Sequence, residues 1–300
     1  MPASSFHFAP RRPLGRTGFV ASPLGIGDLA DRSAPFDSMV ATLRRALDAG
    51  LNVIDTAPAY EDGLSEQVVG AALAGRREGV FVIDKIDHPD APVTPQVMES
   101  LGRLGLDRPD LLVFHNVSDL ALWQRIIAPG GPMEALGKCL RRGLTRFRGV
   151  SSHHPEVLLA ALESGTCDVV MLPLGPFCDA RYADQVLPRA KALGVGVVAF
   201  KAFGAGKLLG DTEGYGRPIG TAGAVPSHPV LPRLAVAECV RYVLTHDPDV
   251  ALLGLSNPDE QDAAFEAAAH FEPMDPRELL EVRRRAEEAI RGKGEVWWNP

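Results

Sequence analysis

Leu51-Asn-Val-Ile-Asp-Thr-Ala-Pro-Ala-Tyr60 is a short apolar run that ends in a carboxylate, Asp55, turns through Pro58 and reaches a phenol at Tyr60. An apolar strand closed by an acid, with a second ionisable group on the loop beyond, puts both groups at one strand's C-terminal end. Thirty residues on, Val80-Phe-Val-Ile83 is another apolar run, ending at Lys85; thirty further, Asp110-Leu-Leu-Val-Phe-His115 ends at a histidine. Continuous apolar runs mark strands covered on both faces, as in a parallel sheet.

Between and around these runs lie helices. Asp37 to Leu47 carries Val40, Leu43 and Leu47 on one face, and Gly50 sits where a left-handed C-cap is wanted. Ser65 to Leu73 is a second helix, closed by Gly75. Thr94-Pro95 reads as an N-cap and N1 pair opening a third. Leu120 to Arg142 is helical with a break near Pro129-Gly-Gly-Pro132. Strands at 146–150, 168–172, 195–200 and 250–253 alternate with helices at 155–163, 183–193, 231–244 and 258–269. A strand at 23–27, ending at Asp28, precedes them all. Counted from Pro23, these are eight strand–helix units of about 37 residues each, with no break in composition. Such alternation means right-handed crossovers and a parallel sheet, and eight units predict a closed (β/α)8 TIM barrel. The doubly wound alternative is disfavoured because the first strand–helix turn lacks G-x-G-x-x-G. Phe6 to Val20, around Gly15-Arg-Thr-Gly18, predicts an N-terminal β-hairpin. Pro276 to Gly292 predicts an extra C-terminal helix, followed by a tail rich in Trp. One domain over residues 1–300 is expected.

The net charge of −7 argues against a nucleic-acid partner, which calls for a basic face. Cys139, Cys167, Cys178 and Cys239 are scattered, as reduced cytoplasmic thiols are, and show no metal-site spacing. The first twelve residues contain no apolar core of a signal peptide, and no run is long enough to span a bilayer. The expectation is a cytoplasmic protein, monomeric or a small homo-oligomer, acting on a small molecule.

In a parallel barrel the C-terminal strand ends carry the chemistry. Asp55, Lys85 and His115 end three successive runs. A buried Asp55–Lys85 ion pair is the bland explanation, since either charge alone is costly inside. The functional explanation uses the same pair. Lys85 beside Tyr60 favours phenolate and is expected to draw the tyrosine pKa down toward working pH. Such a phenol gives a proton to a carbonyl oxygen or takes one from an alcohol, and His115 hydrogen-bonds the same oxygen. Side chains cannot deliver hydride, so a nicotinamide cofactor is implied.

These residues resemble the aldo-keto reductases over nearly the whole chain. Arg12-Pro-Leu-Gly-Arg-Thr-Gly18 looks like the family's opening hairpin, and Asn52 to Tyr60 with Ser65-Glu66 like its Asp/Tyr signature. Leu104-Gly-Leu-Asp-Arg-Pro-Asp-Leu-Leu-Val-Phe-His115 looks like its histidine signature, and Gly149-Val-Ser-Ser-His153 like its Gly-Val-Ser-Asn segment. The resemblance implies a catalytic tetrad of Asp55, Tyr60, Lys85 and His115.

It also implies a dinucleotide laid across the barrel top. Ser151 matches the family's Ser, and Phe200 stands where its stacking ring belongs. Ser152 replaces an Asn and Met171 a Gln that normally pair with the carboxamide. Phe200-Lys-Ala-Phe-Gly-Ala-Gly-Lys-Leu-Leu-Gly210 looks like the pyrophosphate loop, with Lys201, Gly204, Lys207 and Leu208 as candidate contacts. Gly254-Leu-Ser-Asn-Pro258, with Ser256, would meet the adenosine end. Glu260 stands where phosphate-preferring members carry Arg. A carboxylate there suits a ribose diol and repels a 2′-phosphate, so NAD is favoured over NADP.

Asp28, Ile86, Asp87, His88, His153, His154, Trp297 and Trp298 are the local substrate candidates. The leading expectation is an NAD(P)-dependent oxidoreductase interconverting an aldehyde, ketone or sugar with an alcohol. The alternative, motivated by Ser152 and Met171, is a non-catalytic or regulatory nicotinamide-nucleotide-binding barrel. A metal-dependent hydrolase is disfavoured, as neither H-x-H nor H-E-x-x-H occurs.

Overall fold

The structure, a computed structural model, describes residues 6–28, 31–214, 217–218, 232–254, 257–296 and 298–299. Strands β1 (Arg12–Pro13) and β2 (Val20–Ala21) pair antiparallel around a 3-10 turn at Gly15–Thr17, forming the expected hairpin. The barrel follows: β3 (Leu24–Ile26), β4 (Val53–Asp55), β5 (Phe81–Ile86), β6 (Leu111–Phe114), β7 (Phe147–Ser151), β8 (Val169–Pro173) and β9 (Gly196–Phe200). A small ribbon, β10 (Thr212–Gly214) with β11 (Arg217–Pro218), intervenes before β12 (Val250–Leu253). The eight barrel strands are parallel, and β12 pairs with both β9 and β3, closing the ring.

Helices α1 (Phe36–Asp48), α2 (Leu64–Leu73), α3 (Val93–Leu104), α4 (Leu120–Ile127), α5 (Pro132–Arg141), α6 (Pro155–Glu163), α7 (Leu187–Ala192), α8 (Val236–His246) and α9 (Pro258–Ala269) form the outer layer, and α10 (Pro276–Ile290) is the extra C-terminal helix. Gly50 takes φ +89° just after α1, as its position demanded. Three boundaries differ from expectation. Helix α3 begins at Val93 and not after a Thr94 cap, because Val93 is buried against the core while Pro92 fills the N-cap position. Residues 232–235 are not helical, so α8 begins at Val236; position 231 lies outside the described residues. The helix expected from residue 183 opens with one wide turn, Tyr182–Val186, before α7.

Period-two alternation divides the barrel side chains into two layers. Val53, Phe81, Ile83, Leu111, Val113, Val169, Met171, Val198, Val250 and Leu252 fill the interior, with Leu14, Phe19 and Ala21 of the hairpin region packed among them. Leu24, Ile54, Val82, Leu112, Val170, Val197 and Ala251 face the helices. Above the inner apolar layer, the inward rows end in Asp55, Lys85, His115, Ser151 and Phe200. The ionisable side chains therefore occupy the next layer of an otherwise apolar barrel, at its C-terminal mouth.

Candidate active site

Asp55 continues the inward row of Val53, Lys85 that of Phe81 and Ile83, and His115 that of Leu111 and Val113. Lys85 and Asp55 are both buried. Lys85 Nζ donates to Asp55 Oδ1 at 2.7 Å and to the Thr56 carbonyl at 2.7 Å. Burial alone would lower the lysine pKa, but Asp55 and Tyr60 outweigh it and hold Lys85 firmly charged. The ammonium lies 4.3 Å from the Tyr60 ring centroid.

Tyr60 opens a 3-10 turn, Tyr60–Gly63, in which Glu61 (φ +49°) and Asp62 (φ +51°) are left-handed. Each such residue is strained unless its surroundings hold it. Arg32 does so, donating to the Glu61 carboxylate at 3.0 Å, the Glu61 carbonyl at 2.9 Å and the Asp62 carboxylate at 2.5 Å. Burial pushes the Tyr60 phenol above its ordinary value; Lys85 pulls it back only in part, while Asp55 and Asp28 oppose that pull. The expected lowering of this pKa is thus corrected. The site holds a neutral phenol, the form that gives a proton to a carbonyl oxygen.

The His115 ring meets Tyr60 edge-on, with centroids 5.6 Å apart. His115 Nδ1 pairs with Asp87 Oδ1, and Asp87 Oδ2 accepts from the Ala59 N–H at 2.7 Å. Asp87 was expected only as a pocket residue. Its position two residues beyond Lys85 puts it in the same inward row, and that spacing was the available signal of its role.

The cofactor and substrate candidates divide. Ser151 is buried at the end of β7, and the partly exposed Phe200 ring tops the inner cluster at the end of β9. Met171 also faces inward, wholly buried within that cluster. The Ser152 hydroxyl donates to the Val117 carbonyl at 2.7 Å and accepts from the His154 N–H at 3.1 Å, so it is committed to the fold. Leu208 belongs to the outer hydrophobic core, and Gly204 (φ +54°) turns the loop that leads to it. Lys207 does not face a phosphate. It is fully buried and donates to the Lys293 and Glu295 carbonyls, both at 2.6 Å. Lys201 lies 5.7 Å from the ring of Trp298, and burial lowers its pKa to about 8.

His153 is buried edge-on against Phe200 and hydrogen-bonded to the Trp298 backbone. Burial pushes its pKa down to about 3, keeping the ring neutral. Trp298, expected as a substrate contact, is itself buried and belongs to a tail held against the loop after β9. Asn299 adds to this by accepting from the Asp179 N–H at 2.7 Å. Ser256 and Trp297 lie outside the described residues.

A dinucleotide fits part of this arrangement. Phe200 and Ser151 offer a ring and a hydroxyl beside the tetrad. The start of α9 is capped by Asn257, whose side chain accepts from the Glu260 N–H at 3.0 Å, and its first turn carries Asp259 and Glu260. Arg45 reaches this region from α1 but is committed to Gln261, Asp262 and the Pro258 carbonyl.

Comparison with known proteins agrees with this geometry. The profile of the Aldo/keto reductase family matches residues 23–224. L-galactose dehydrogenase of Arabidopsis thaliana is 31% identical over 90% of this chain and 92% of that protein. Among solved structures, an aldo-keto reductase described as putative, from Pseudomonas aeruginosa, is 29% identical, with TM-score 0.64, covering 86% of this chain and 95% of its own. An aldo-keto reductase from Klebsiella pneumoniae in complex with NADPH shares the fold, with TM-score 0.65 and 22% identity over 95% of each chain. The chain belongs to the aldo/keto reductase family. It is a nicotinamide-dependent oxidoreductase that interconverts small-molecule carbonyls and alcohols.

Proposed function

We propose that this protein is a single-domain, NAD-linked dehydrogenase of small polyhydroxylated substrates of the aldose type, with Tyr60 as the group that exchanges a proton with the substrate oxygen. The observation that carries this reading is the assembly of Tyr60 against the buried Lys85–Asp55 pair, with His115 on its other side. Lys85 keeps positive charge beside the phenol, so the oxygen that gives up its proton does so against a cation. His115 borders the same space. Phe200 and Ser151 would hold the nicotinamide, which supplies or accepts the hydride.

The aldose assignment draws on the L-galactose dehydrogenase relative and on Asp28 and Asp87, two carboxylates at the mouth suited to accept hydrogen bonds from sugar hydroxyls. The preference for NAD draws on the acidic first turn of α9, which would repel a 2′-phosphate. Four buried free cysteines suit a reducing, cytoplasmic setting. No helix among the described residues is long and apolar enough to cross a membrane. The test is a side-by-side NAD+ and NADP+ assay against aldoses, simple aldehydes and simple alcohols. Highest kcat/KM on an aldose with NAD+ is expected. Turnover confined to simple carbonyls, or a clear preference for NADP+, contradicts the corresponding part of the reading.

A further inference from the structure

The three residues after Tyr60 are all left-handed: Glu61 (φ +49°), Asp62 (φ +51°) and Gly63 (φ +84°). Glycine takes that conformation freely, whereas a residue with a side chain is strained there unless its surroundings hold it. Both flanks of this turn are pinned to the fold. The Ala59 N–H donates to Asp87, and Gly63 packs so closely on Arg103 that a Cβ would lie 2.6 Å from Arg103 Cδ. Between the pins, Glu61 and Asp62 face solvent, the Asp62 side chain being 91% exposed. Among the described residues, Arg32 is the one partner of both side chains.

Arg32 stands on the loop between β3 and α1, and that loop is braced from behind. The Asp31 carboxylate accepts from the Ser33 N–H at 2.8 Å and from the Ser33 hydroxyl at 2.6 Å, and the Ala34 N–H donates to the Asp31 carbonyl at 3.0 Å. From this base the guanidinium spreads over the two carboxylates and the Glu61 carbonyl. A single exposed ion pair counts for little, but a planar fork on three acceptors of one turn fixes direction as well as distance. A phenol exchanges its proton well only when its oxygen lies in reach of, and in line with, the substrate oxygen. We propose, on the reading of Tyr60 as the proton-exchanging group, that Arg32 is a positioning residue: by holding Glu61 and Asp62 left-handed it fixes the backbone that aims the phenol at the substrate.

Arg32 acts on the turn and not on the phenol. The charges that bear on the Tyr60 hydroxyl are those of Lys85, Asp55 and Asp28. A role confined to stability would leave the rate of the folded enzyme as it is. A role in aiming lowers that rate, and does so only while there is a hydroxyl to aim.

The experiment has two arms. In the first, kcat for reduction of glyceraldehyde by NADH is measured for wild type, Arg32→Ala, Tyr60→Phe and the double variant, with nicotinamide-fluorescence titration on the same preparations. Arg32→Ala should lose about tenfold or more in kcat, the scale of a small misplacement, with cofactor affinity within about twofold of wild type. In the Tyr60→Phe background the same substitution should change the residual rate by less than about twofold, because the two act as a unit. The second arm needs no substrate. The Tyr60 N–H is bonded to the Ala57 carbonyl and the Leu64 N–H to the carbonyls of Tyr60 and Glu61, and both should exchange faster with solvent in Arg32→Ala. A wild-type kcat in Arg32→Ala, an equal loss on both Tyr60 backgrounds, or unchanged exchange at these amides overturns the proposal. Wild-type turnover by Tyr60→Phe would instead sink the reading of Tyr60. If Arg32→Ala does not fold, Asp62→Asn, at an exposed side chain, removes one charged arm of the clasp and carries the same tests.

Discussion

Asp84 sits between Ile83 and Lys85, and alternation turns it away from the barrel interior toward α2 and α3. It is wholly buried, Oδ1 accepts from the Lys85 N–H at 2.8 Å, and Oδ2 has no hydrogen-bond partner among the described residues. Glu66 on α2, also buried, pairs with Arg103 through Oε2. Burial, reinforced by Glu66, pushes the Asp84 pKa up to about 8. The sign follows from linkage. The folded state keeps a proton that the unfolded chain releases near pH 4, so Asp84 makes stability fall as pH rises from about 4 to about 8. Asp84→Asn removes the ionisable group, so its advantage in unfolding free energy, read by denaturant titration, should be small at pH 5 and larger at pH 8.5, on the order of 1–3 kcal/mol. Equal shifts at both values would contradict this. At this scale much of the site was legible: Asp55, Lys85 and His115 stand out because each closes an apolar run. The net pKa of Tyr60 was not, because it depends on a burial that no local pattern reports. The destination of Lys207 was hidden for a similar reason, since its partners lie 86 and 88 residues away.

Among the elements, β7 lies tightly against β8. A Cβ on Gly149 would lie 2.1 Å from the Val169 carbonyl oxygen of β8. That contact lies in the barrel wall one layer beneath Ser151 and Met171, which pair across the same two strands. Gly149→Ala should force β7 and β8 apart, costing about 1–3 kcal/mol in denaturant unfolding. Because Ser151 moves with β7, it should also weaken cofactor binding; a variant with wild-type stability would show that the wall yields freely. The strands and helices themselves were readable from periodicity and caps. Boundaries failed where burial overrode capping chemistry, as at Val93, and where helical composition ran on into extended chain before Val236.

Across the whole molecule, the C-terminal tail is joined to the loop after β9 by two buried lysines that exchange carbonyls. Lys207 donates to the backbone of Lys293 and Glu295, while Lys293 donates to the carbonyls of Lys207 at 2.8 Å, Gly210 at 2.9 Å and Pro232 at 3.3 Å. Lys207 Nζ also lies 5.2 Å from the Trp298 ring. The tail thereby holds the loop that begins at Lys201, directly after Phe200. Lys293→Met leaves buried carbonyls unpaired and should cost about 1–3 kcal/mol, with faster amide exchange concentrated in residues 207–210. Unchanged exchange there would show that the clasp does not hold the loop. The barrel was legible from eight alternating units, whereas this closure was not, because it joins segments with no periodic relation.

The central claim is that Tyr60 exchanges the proton with the substrate oxygen. Tyr60→Phe keeps the ring against Lys85 and removes only the hydroxyl. Turnover and nicotinamide-fluorescence titration should be measured on the same preparation. The expected result is a loss of kcat of about 100-fold or more, the usual scale for a positioned acid, with cofactor affinity within about twofold of wild type. Turnover near the wild-type rate with cofactor still bound would contradict the account.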